Sequence, residues 1–184
     1  MQGYDDAQDP PQVAWMSAPN SYISTFAGST DFGLISSDQA SAIGQPSGPI
    51  RLCHGVPGRN GFGLTHIEGY ENRLRELNGL GFSSVITYCH YVAENFEAIH
   101  EGHSGRLIVA RKRLDRRLVH LTLVLDLRST SDGHVWSIVT GLPKRVLREP
   151  VLWQKEGRKG GCEPAPDAAS RPRFATLTLP GTRS

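Results

Sequence analysis

Residues 1–50 contain no lysine or arginine, and with five aspartates they carry a net −5. A secretory leader starts with positive charge, whereas this chain starts MQGYDDAQDP; export would therefore need a fused or dedicated carrier. Long apolar runs are missing as well. No stretch reaches the roughly 20 residues of a membrane span, so no membrane partner is expected. Cysteine is scarce: Cys53, Cys89 and Cys162 are an odd number without a C-x-x-C pair, which argues against a disulfide framework and for folding in a reducing compartment. The pairs Cys53-His54 and Cys89-His90, with His66, match no standard zinc spacing, so no metal site is assigned.

The 184 residues are 38% apolar, enough for one core. Charge is uneven along them. Residues 106–148 hold ten Lys or Arg against three Asp, a net +7, the pattern of a surface that meets a polyanion, although a solvated basic face would read the same way. Three parts are expected: an acidic leader or adaptor segment over 1–48, a folded domain over 49–153, and a mobile basic tail over 154–184 rich in Gly, Pro, Lys and Arg. The leader carries Trp15, Tyr22, Phe26 and Phe32, and Trp15 and Phe26 are anchors by which it could dock on the basic part.

PIRLCHG, residues 49–55, reads as a short strand ending at a turn. Leu64, Ile67, Tyr70, Leu74 and Leu77 recur at helical spacing, as do Val85, Cys89, Val92, Phe96 and Ile99, which predicts a second helix from Ser83 or Ser84 to about His100. From residue 106 the period becomes two. RLIVARKRL, RRLVHLTLVLDLR and GHVWSIVTGLP predict a three-stranded meander, with Val119, Leu121, Leu123, Leu125 and Leu127 on one face and His120, Thr122, Val124 and Asp126 on the other. The expected architecture is α+β: two N-terminal helices packed on a small antiparallel sheet, between a poorly structured acidic leader and a basic C-terminal tail.

GFGLTHIEGY, residues 61–70, places a histidine just inside the first of these helices. Thr65 and Glu68 have the spacing of a capping box. His66 would then lie beside free backbone N–H groups, where an anion is favoured and a neutral imidazole is preferred.

The run PIRLCHG…GFGLTHI, the basic strand RLIVARKR and the closing HVWSIVTGLP together resemble the phage and polymorphic-toxin nuclease-like domains of the barnase–EndoU–colicin E5/D–RelE fold, over about residues 49–150. The resemblance implies a metal-independent endoribonuclease toxin with no cofactor. It would fold in a bacterial cytoplasm, cut cellular RNA such as tRNA after delivery by a fused or separate module, and be held by an acidic immunity protein. It also implies that His66 is the family's histidine, that a residue among Arg111, Lys112 and Arg113 is its basic strand position, and that Thr140, preceded by Trp136, is its strand hydroxyl.

The chemistry asks for the same groups. Metal-free RNA cleavage needs a base for the 2′-hydroxyl, an acid for the leaving oxygen and donors around the phosphate. His66 suits proton transfer; Arg111 and Arg113, or Lys112 alone, share a strand face and can reach a phosphate; Thr140 can donate to it and Trp136 can stack on a base. His120 and His134 are alternative partners for His66. Each also has a plainer role open to it, in packing or as an edge charge. Two rival functions keep these residues: a non-catalytic phage structural or adaptor protein, and a nucleotide-modifying transferase toxin.

Overall fold

The computed structural model describes residues 18, 20–113, 119–131 and 133–156. Trp15 and residues 157–184 of the basic tail, Cys162 among them, lie outside the described residues. Seven strands, β1 (Asp31–Ile35), β2 (Gly48–Arg51), β3 (Ala98–Glu101), β4 (Leu107–Arg113), β5 (Val119–Thr130), β6 (Gly133–Lys144) and β7 (Val151–Gln154), form one sheet in the order β1-β2-β6-β5-β4-β3-β7. Every neighbouring pair is antiparallel except β2 with β6. The helices are short: α1 (Ser37–Ile43), α2 (Gly63–Glu68), α3 (Arg73–Gly79) and α4 (Val85–Asn95). Among the described residues none is long and apolar enough to cross a membrane.

This corrects the expected architecture. The molecule is a mixed seven-stranded sheet curled into a half-barrel with a few short helices, rather than two N-terminal helices on a small antiparallel sheet. The acidic segment is not all unstructured, because β1, α1 and the start of β2 come from it. Phe32, Ile35, Ala40 and Ile50 enter the core, and Ser36 closes a capping box with Gln39 that starts α1. Residue 33 is glycine because β1 runs hard against α4, and a Cβ there would meet the carbonyl oxygen of Ala93. Phe26, expected as a docking anchor, is 84% exposed.

The first expected helix is broken. Residues 69–72 separate α2 from α3, and Tyr70 and Leu74 of the supposed apolar stripe are exposed while Ile67 and Leu77 are buried. The second starts as expected, with Ser84 capping and Thr87 answering, but stops at Asn95 because Ala98–Glu101 pairs with β4.

Val119, Leu121, Leu123 and Leu125 are buried on the face of β5 that meets α4. From α4 the buried Tyr88 hydroxyl reaches the backbone of β5, donating to the Thr122 carbonyl at 3.1 Å and accepting from the Thr122 N–H at 2.9 Å. Burial pushes that phenol well above its ordinary pKa. One irregularity matters for function: Thr140 pairs with Val124 and Ile138 with Leu125, which leaves Val139 as an extra residue in β6. Such a bulge reverses the alternation of side chains beyond it.

Candidate functional site

Backbone donors that an anion would use at the start of α2 are already taken. Leu64 N–H donates to the Cys53 carbonyl and Thr65 N–H to the His54 carbonyl, both at 2.9 Å. The Thr65 hydroxyl also donates to His54, so the expected Thr65–Glu68 capping box is not formed; Phe62 is the N-cap and has no side-chain cap bond. The cause is the chain beyond β2, which continues beside α2 closely enough that Gly63, at φ +75°, has the Cys53 carbonyl where a side chain would begin.

His66 is 7% exposed. Its Nδ1 lies 2.9 Å from the Gly58 carbonyl oxygen. A carbonyl can only accept, so Nδ1 carries a proton and the neutral ring keeps its lone pair at Nε2. The edge of the ring meets Tyr70, centroids 5.2 Å apart and planes at 83°. The ring is therefore fixed in both tautomer and orientation.

A cation that the sequence motifs did not single out stands near this helix. The Arg128 guanidinium lies 4.6 Å from the ring centroid of Phe62, one turn before His66, and donates to Asn20 Oδ1 at 3.0 Å. Arg128 shares the face of β5 opposite α4 with Asp126, whose carboxylate lies 3.8 Å from Arg106. The alternation through His120, Thr122, Val124 and Asp126 reaches Arg128 one step later. Counting on by twos would have found it.

The remaining candidates divide between the faces of the sheet. Lys112 lies opposite His120, and His120 opposite Lys144; Thr140, half-buried, shares that face through its pairing with Val124. Burial, then Lys112, then His100 hold the His120 imidazole below its ordinary pKa. On the helix face, Arg111 donates to the Asn95 carbonyl at 3.0 Å and stacks on Tyr91, with Glu97 3.9 Å away. Arg113 donates to the Leu80 carbonyl. Both arginines therefore cap helical and turn carbonyls, leaving Lys112 as the member of the triplet on the opposite face.

Trp136 is fully buried and donates from Nε1 to the Pro46 carbonyl at 3.1 Å, so it is core and offers no stacking face. It does not share a face with Thr140, because the Val139 bulge lies between them. His134 is exposed opposite Ser129 near the hairpin end. The hydrogen bond and ring contact of His66 go to Gly58 and Tyr70, and to none of these residues. Cys89 is buried, which raises its thiol well above the ordinary range, and among the described residues no three His, Cys, Asp or Glu side chains are grouped to hold a metal ion.

No protein-family model matches this chain, and neither a curated protein nor a solved structure does.

Proposed function

We propose that the protein is an endoribonuclease that cuts RNA by acid–base transesterification, with His66 as the proton carrier. The observation that supports this most is the ring itself. His66 is nearly buried, and its Nδ1 proton is committed to the Gly58 carbonyl, the arrangement that leaves Nε2 basic and aimed in one direction.

In the proposed step Nε2 takes the proton of an RNA 2′-hydroxyl. The 2′ oxygen attacks the adjacent phosphorus, the P–O5′ bond breaks, the departing O5′ takes a proton from water, and His66 gives up to solvent the one it accepted. The products are a 2′,3′-cyclic phosphate and a 5′-hydroxyl. Negative charge gathers on the phosphate oxygens during attack, and Arg128, fixed over Phe62 at the same helix, supplies the opposing charge. This chemistry calls for no metal ion or cofactor. A toxin of this kind would be restrained by an acidic protein that covers its basic surface.

A binding or adaptor protein without chemistry is the second reading. It is favoured by the commitment of Arg111, Arg113 and Trp136 to helix caps and core.

Incubation with an RNA oligonucleotide and its all-deoxy counterpart, both in EDTA, separates the two. The proposal predicts cleavage of the RNA and an intact deoxy strand, which lacks the attacking hydroxyl. Cleavage of both strands, or of neither, contradicts it.

A further inference from the structure

Away from His66, the C-terminal half of α3 and the turn at 79–81 face the ends of β4, β5 and β6 across an open cleft of about 880 Å³. Among the described residues it is lined by Arg75, Arg113 and Arg145 and by one acid, Glu76, and that acid is paired with Arg73 at 3.4 Å. Arg75 and Arg145 are exposed. Leu80, Val119 and Pro143 also line it, and all three are less exposed than Arg75 and Arg145. A basic rim over an apolar floor is suited to a chain whose charges repeat along an edge and whose flat apolar groups point inward.

We propose that this cleft binds the backbone of single-stranded RNA, with phosphates against Arg75 and Arg145 and a base or ribose against Leu80 and Pro143. This rests on the reading of RNA as the substrate and adds a second surface, apart from His66, on which the strand is held. An acidic polypeptide would satisfy the arginines and gain less from the floor.

Gly79 offers a probe that leaves the fold alone. It is the last residue of α3, and a Cβ built on it meets nothing within 4 Å, so side chains placed there extend into open space near the arginines. Binding of the full-length protein to a fluorescent, uncleavable 2′-O-methyl RNA is followed by anisotropy over a range of salt, in EDTA, for wild type, Gly79→Glu, Gly79→Lys and the pair Arg75→Gln/Arg145→Gln.

The proposal predicts binding weaker by about ten-fold for Gly79→Glu, tighter for Gly79→Lys, and a log-log salt slope for the double variant shallower by roughly 0.7 for each phosphate no longer neutralised. Equal affinities across the four proteins overturn it, as does a charge dependence seen with poly-glutamate but not with RNA. Because the probe cannot be cut, the outcome is independent of chemistry. Cleft-dependent binding without cleavage of ordinary RNA would remove the nuclease reading alone, and cleavage with cleft-independent binding would remove this proposal alone.

Discussion

At the scale of single residues, partners decide what a titratable side chain can do. The Gly58 carbonyl selects the tautomer of His66, whereas His120 is governed by burial and by the neighbouring Lys112 and His100, which keep it below its ordinary 6.5. A histidine whose pKa is depressed on folding favours the native state fully only above the unfolded value; as pH falls below it, the unfolded chain takes up the proton first and stability is lost. His120→Asn should therefore flatten the loss of stability below pH 6.5, measured by urea unfolding at stepped pH. An unchanged pH dependence would show that His120 is solvated like a free imidazole. Cations were easier to read than their duties: the RKR triplet was visible, but which of its members would cap Asn95 and Leu80 depended on where α4 and the 79–81 turn lie in space.

At the scale of elements, β1 packs closely against α4. Gly33→Ala would drive a methyl group into the Ala93 carbonyl, and relief requires strand and helix to separate. A cost of about 1–3 kcal/mol is expected from such overpacking, read from the denaturation midpoint; a variant as stable as wild type would mean that the joint is slack. The meander was legible because β5 carries an apolar, buried residue at every second position from Val119 to Leu125, and the start of α4 was legible from Ser84. The end of α4 was not. Phe96 and Ile99 continue the helical spacing of Val92, yet Phe96 is the extended C-cap, packed on Trp153 of β7, and Ile99 lies in β3. The bulge at Val139 left no mark in a run of strand-forming residues; strict alternation would put residues 136 and 140 on one face, and they occupy two. β1 and α1, of five and seven residues, are too short to show a period against the Ser, Gly and Gln around them.

At the scale of the whole molecule, β1 and β2 from the acidic stretch and β4, β5 and β6 from the basic one belong to one sheet. β2, from the boundary of the acidic stretch, lies parallel to β6 from the basic one. Local pattern could not reveal this, because the pairing joins residues far apart in sequence through a strand of four residues. What results is a curled sheet with His66 held on a short helix whose N-cap, Phe62, lies under the Arg128 guanidinium of β5, and a separate arginine-lined cleft. The central claim is that His66 carries the proton in RNA cleavage. The measurement that tests it most directly is the rate of 2′,3′-cyclic phosphate formation on single-stranded RNA in EDTA by wild type and by His66→Ala, the latter shown to be folded by circular dichroism and cooperative unfolding. The account predicts cyclic ends with wild type and a rate lower by on the order of 10²-fold or more in the variant. Near-wild-type formation by a folded His66→Ala protein, or no cyclic ends from wild type, would contradict it.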